Sequence, residues 1–203
     1  MNIDLSTIPP SQVYQLMTQT VVPRPIAWAL TESENNTFNL APFSYFMAVS
    51  SQPPLLMLSV GKKSTGEIKD TTRNLLETGK VVIHIGSVGT EKVMTKTAAS
   101  LDYGQSEVDI NNIALTEFSG FTLPRIASCA VAFGCTLFQT HEIGDTPQSL
   151  LFVEIEKIYI DDSVVSEIDE RLKIDALKLD PLARLGGNEF VTLDKIISVV
   201  RPK

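Results

Sequence analysis

The chain has 203 residues, 43% of them hydrophobic, a net charge of −7 and a pI near 4.9. That length supports a proper core in one large domain, or one domain with a modest insertion, while the negative balance argues against nucleic acid or an anionic membrane as the main partner. No apolar run approaches the ~18 residues of a membrane span, no signal peptide is visible, and Cys129 and Cys135 make no disulfide framework, so a cytoplasmic protein of a single domain over 1–203 is expected.

In chain order, "SQVYQLMTQ" (11–19) predicts a short helix. It leads into "VVPRPIAWALTES", where Pro23 and Pro25 exclude a helix interior and favour an extended or edge strand. "ENN" (34–36) reads as a hairpin turn. "FSYFMAVS" and "PLLMLSV" (54–60) read as strands separated by the stop at Pro53-Pro54. "KDTTRNLLETGK" (69–80) predicts a helix that Asp70 or Thr71 can cap and Gly79 ends. "VVIHIGS" (81–87) is a strand, and "TEKVMTKTAASL" (90–101) a helix with Thr90 as N-cap and Glu91 in its first turn.

Two long β-rich runs follow, "SCAVAFGCTLFQTHEIG" and "LLFVEIEKIYID". The second alternates, with Phe152, Glu154, Glu156 and Ile158 on one side and Val153, Ile155, Lys157 and Tyr159 on the other. Strands outnumber helices without regular βαβ units, which predicts a mainly β, barrel-type fold with peripheral α-helices.

Several chemistries lack support. "GKKSTGEI" (61–68) has P-loop spacing, but Glu67 and Ile68 stand where Lys and Ser/Thr are required. No G-x-G-x-x-G follows a strand and no G-x-S-x-G appears. His84 and His141 are 57 residues apart, so no metal site is expected. Cys129 and Cys135, on one face if their run is a single strand, read as small buried hydrophobes.

One local anomaly remains. Lys62, Lys63, Lys69 and Arg73 against Glu67 and Asp70 give +2 in twelve residues, whereas residues 142–170 carry −8. The basic stretch runs into a helix start, where backbone N–H groups favour a phosphate. Asp70 opposes this unless its carboxylate turns in to cap the helix. Upstream, "NLAPFSYFMAVSSQPP" (39–54) threads Ser44, Ser50 and Ser51 through an apolar, aromatic stretch. Taken singly, each segment is also an ordinary charged turn or an ordinary core strand.

Together, "PRPIAW", "NLAPFSYFMAVSSQPPLLMLSV", "KDTTRNLLETG" and "LDPLARLGGNEF" resemble, in order and spacing, the flavin reductase-like proteins of the FMN-binding split β-barrel. The resemblance runs from about Pro23 to Phe190 and implies a homodimeric, Greek-key-like split barrel holding FMN near the subunit interface. It implies cofactor contacts from Asn39, Ala41 and Ser44 along the flavin, with Trp28 close by. It places Ser50 and Ser51 at the phosphate and ribityl chain, and Lys69, Thr71 and Asn74 at the phosphate and helix start. Arg24 and Arg184 match family arginines.

Many relatives carry "GDH" after the long strand, where this chain has Thr146. His141 lies a few residues earlier. The implied activity is NADH- or NADPH-dependent flavin reduction with electrons passed onward, and no catalytic side chain is expected because the flavin carries the difficult step. An FMN electron carrier without its own nicotinamide site and a non-enzymatic binding barrel are the alternatives.

Overall fold

The structure, a computed structural model, describes residues 1–168, 171–200 and 202, with backbone alone at 167 and 168. Helix α1 (Pro10–Thr20) starts on a proline, whose fixed φ and missing N–H suit a first helical position. The main sheet has seven strands among the described residues: β1 (Ala27–Glu32), β2 (Phe38–Phe43), β3 (Phe46–Ser51), β4 (Pro54–Val60), β5 (Lys80–Ile85), β6 (Val131–Ile143) and β7 (Gln148–Ile160). They form one antiparallel sheet in the order β2-β1-β5-β6-β7-β4-β3.

The ends of that order explain the shape. β2 and β3 are opposite edges, yet only Ser44 and Tyr45 join them. Laid flat, the six spacings between these strands, roughly 4.8 Å each, would separate the edges by about 29 Å. Three residue steps of roughly 3.6 Å span at most about 11 Å. The sheet must therefore curl into a barrel. The run 43–50, expected as one strand, is in fact two strands broken at this seam.

Alternation along the strands then sorts side chains to two cores. Ala27 and Ala29 point into a cluster with Phe43, Leu58, Ile83 and Leu151. Ile26, Trp28 and Leu30 point the other way, where Met94, Val108 and Ile126 cover them. β7 is less regular than its pattern implies. Ile155 faces Cys135 and Lys157 faces Gly134, leaving Glu156 as the extra residue of a bulge. Its carboxylate bonds Lys80 Nζ at 3.1 Å and the Thr136 hydroxyl.

Helix α2 (Asp70–Thr78) ends at Gly79, whose φ of 72° is the left-handed conformation glycine adopts at little cost. Leu75 of α2 is 1% exposed and joins the inner barrel cluster, a burial worth roughly 1.5–3 kcal/mol that fixes where the helix start points. Helix α3 (Glu91–Lys96) is shorter than the expected 90–101, and Thr90 makes no side-chain cap. Helix α4 (Glu107–Ile110), capped by Ser106, was not anticipated from the sequence. Cys129 precedes β6 and joins the outer cluster while Cys135 joins the inner one, so the two do not share a face. Burial pushes both thiols up to about 12, which leaves them unreactive.

No described helix is long and apolar enough to cross a membrane. No described group of three or more His, Cys, Asp or Glu side chains is arranged to hold a metal ion.

Candidate functional site

A groove in two lobes runs along one side of the barrel. The narrow lobe, about 70 Å³, lies between β2, the start of α2 and the turn after α3, and is lined by Asn39, Phe43, Lys69, Thr71, Ser100 and Glu107 among others. The wide lobe, about 860 Å³, lies between α1, the Ser44 seam and the segment 184–190. Pro42 and Ala98 line both, so the lobes adjoin.

The start of α2 is chemically open. Lys69 occupies the N-cap position with extended backbone, and no side chain caps the first-turn N–H groups. Neither residue expected to cap does so, because each has a tertiary partner. Asp70 pairs with Lys63 Nζ at 2.8 Å, which balances the charge that opposed an anion here. Thr71 Oγ1 accepts from Asn39 Nδ2 at 2.9 Å.

Lys69 itself is half-buried beside the Phe43 ring, 5.6 Å from its centroid, with no carboxylate partner among the described residues. Burial holds its ammonium pKa below the usual 10.5. A desolvated cation at an uncapped helix start is an anion-binding arrangement.

Behind it lies a buried polar network. Asn39 Nδ2 also donates to Thr31 Oγ1 at 3.1 Å, and Asn74 Nδ2 donates to the same oxygen at 3.2 Å. With its oxygen already accepting, Thr71 keeps its hydroxyl proton for the groove that it lines. Asn74 Oδ1 and Thr72 Oγ1 are buried without a hydrogen-bond partner among the described residues. Glu107, 5% exposed, accepts the edge-strand N–H of Leu40 at 3.0 Å, and burial raises its carboxyl pKa.

The wide lobe contains both predicted arginines, opposite each other in register across the short strands Arg24–Pro25 and Ala183–Arg184. Their surroundings differ. Buried Arg24 donates to the carbonyls of Thr18, Val21 and Leu185, tying the end of α1 to the segment 184–190. Half-buried Arg184 donates to Gly187 O and lies over the Phe190 ring, 4.6 Å from its centroid.

Asn39, Ala41, Lys69 and Thr71 thus line the narrow lobe, and Arg24, Ser44 and Arg184 the wide one. Trp28 is buried in the core, its Nε1 donating to Thr97 Oγ1 at 2.9 Å, and Asn74 is fully buried within α2. Trp28 reaches the groove through Thr97, and Asn74 through Thr31 and then Asn39, which lines it. Ser50 and Ser51 lie on the exposed edge strand β3, outside both lobes.

His141 bonds Gln139 at 2.9 Å near the exposed end of β6, and Thr146 is in the β6–β7 turn. Neither lines the groove. Sequence reasoning missed Glu107, whose short helix has no periodicity, and Ser100, which it placed inside a helix. Lys63 was visible only as one charge of the basic stretch.

An uncapped helix start beside a half-buried lysine and an elongated groove on a curled antiparallel barrel define a β-barrel with a candidate ligand site. The chain belongs to the flavin reductase like domain family, whose model matches residues 17–177. It is 34% identical over 193 residues to the uncharacterized protein YwrF of Bacillus subtilis (strain 168), covering 93% of each chain. Nitrilotriacetate monooxygenase component B from Bacillus cereus is similar with a TM-score of 0.90 at 28% identity, over 98% of each chain. A split barrel domain protein from Shewanella frigidimarina NCIMB 400 aligns over 100% of both chains with a TM-score of 0.86 at 18% identity, which shows the split-barrel fold. The family and the monooxygenase component together support oxidoreductase activity in general.

Proposed function

We propose that this protein binds FMN and acts as an NADH- or NADPH-dependent flavin reductase that passes electrons to a further acceptor. The observation that carries the reading is Lys69, a half-buried cation at the uncapped start of α2 with no carboxylate partner among the described residues. The residues fit the group. Lys69, the Thr71 hydroxyl and the first-turn N–H groups of α2 hold the phosphate. Asn39 and Thr31 orient Thr71 from behind, and Asn74 anchors the helix to Thr31. Ala41 and Ser44 flank the path into the wide lobe. Bound there, the flavin supplies hydride acceptance and onward electron transfer. The protein binds, orients and excludes water, and no acid–base pair is required of it.

Ser50 and Ser51 meet the cofactor only if a second copy presents β3 to this groove. A homodimer is part of the proposal, supported by exposed Met47 and Val49 on that edge strand. Light scattering on the eluting protein tests it.

An electron carrier without a nicotinamide site is favoured by one observation, that neither His141 nor Thr146 lines the groove. Anaerobic mixing of the FMN-loaded protein with NADH or NADPH separates the two readings. Rapid loss of the visible flavin band supports the reductase. A band that only dithionite bleaches supports the carrier. A colourless protein that takes up no added FMN refutes both and leaves a non-enzymatic binding barrel.

A further inference from the structure

The wide lobe is unusual for so acidic a chain. Two arginines line it, and among the described residues no aspartate or glutamate does. Arg24 is committed to three main-chain carbonyls. Arg184 makes one bond, to Gly187 O, and among the described residues no carboxylate pairs with it. The Phe190 ring lies against its guanidinium, with the ring centroid 4.6 Å from the central carbon. The lobe's other polar lining groups are uncharged, the amides of Gln15, Gln19 and Asn188 and the hydroxyls of Ser11, Thr18, Ser44 and Thr95, and Tyr14 adds a second ring.

We propose that the wide lobe binds an organic monocarboxylate carrying an aromatic ring, its carboxylate held in the fork of Arg184 and its ring against Phe190 and Tyr14. One available guanidinium with neutral amides matches a single negative charge, and its planar fork matches the two carboxylate oxygens. Arg24 is already spent, so Arg184 is the one uncommitted cation among the lobe's described lining residues. A dinucleotide reductant, whose diphosphate carries more charge than this cation balances, is expected to seat that diphosphate outside this fork. The proposal rests on the reading that the flavin phosphate lies at Lys69 in the narrow lobe, which leaves Arg184 for a second ligand.

Calorimetric titration of the FMN-loaded protein with benzoate, benzamide and ADP-ribose tests it. Benzoate binds saturably, and the neutral isostere benzamide binds at least about tenfold more weakly, since it cannot meet the guanidinium as an anion. Arg184→Met weakens benzoate by about tenfold or more, and Arg184→Lys restores part of the loss by keeping the charge without the fork. Equal affinity for benzamide, or unchanged benzoate affinity in Arg184→Met, overturns the proposal. So does ADP-ribose displacing benzoate at lower concentration, which would give the cation to a dinucleotide.

FMN affinity of Arg184→Met is measured alongside. A fall there makes Arg184 a cofactor residue and sinks this proposal while the FMN reading stands. If the protein takes up no FMN at all, the benzoate series on the protein as purified still decides the matter.

Discussion

Replacing Lys69 with alanine isolates the interaction on which the proposed cofactor site depends. Two opposite unit charges ~4 Å apart attract by about 4 kcal/mol at an effective dielectric of roughly 20. Lys69 is half-buried, so solvent screening removes a good part of that. What remains is in the range of a charge-assisted hydrogen bond, about 1–3 kcal/mol. The expected consequence is an FMN dissociation constant raised roughly 5–150-fold, read by quenching of FMN fluorescence on titration at low salt.

The dependence on salt should also be shallower in the variant, because one screened attraction has gone. Stability of the flavin-free protein should not fall. Burial disfavours the Lys69 charge, and no described carboxylate compensates for it. Lys62 provides the control. It pairs with Glu142 at 3.4 Å and lines neither lobe, so Lys62→Ala should change FMN affinity by less than about twofold. An unchanged dissociation constant in Lys69→Ala, or an equal loss in Lys62→Ala, refutes the assignment of the phosphate to this helix start.

Two further predictions concern the scaffold. His84 is fully buried, its Nδ1 bonded to Trp28 O at 3.0 Å and its Nε2 accepting from Ile126 N–H at 2.9 Å, and burial moves its pKa from 6.5 down to about 4. The unfolded chain therefore takes up a proton first as pH falls. The His84 contribution to stability is whole above 6.5 and shrinks towards pH 4 by about 3 kcal/mol in total. Urea unfolding between pH 7 and 4 should show this slope, and its persistence in His84→Gln would show that another group is responsible. Thr72→Val removes a buried hydroxyl that lacks a partner while keeping its shape, so the unfolding free energy should rise by about 1 kcal/mol. A loss of stability in that variant would show that the hydroxyl is bonded after all.

Much of the barrel was legible because its signals are local. Strand β4 ends where Pro54 and Gly61 bound an apolar run, and α2 ends where Gly79 allows a left-handed turn. Pro42 sits within β2, tolerable because β2 is an edge strand. The break at Ser44 and Tyr45 was invisible for the opposite reason. Residues 43–50 read as continuous strand, and only closure of the whole sheet forces them onto opposite edges.

The same distinction governs the site. Lys69 and Thr71 stood out through charge and helix position. That Asp70 turns to Lys63 and Thr71 to Asn39, leaving the helix uncapped, depends on groups brought together by folding. Arg24 and Arg184 look equivalent as letters. Only the carbonyls around Arg24 show that one guanidinium is spent and the other is not.

The seam at Ser44 and Tyr45 has a mechanical meaning as well. A ladder usually slips most easily at its margins, where a strand is held from one side only. Here the two margins are covalent neighbours, so displacing either by one residue drags the other and turns both sets of side chains inside out. Ser44 belongs to that tether and also to the groove wall. The groove is thereby fixed to the least adjustable point of the barrel, so a ligand resting there meets a wall that cannot shift to accommodate it.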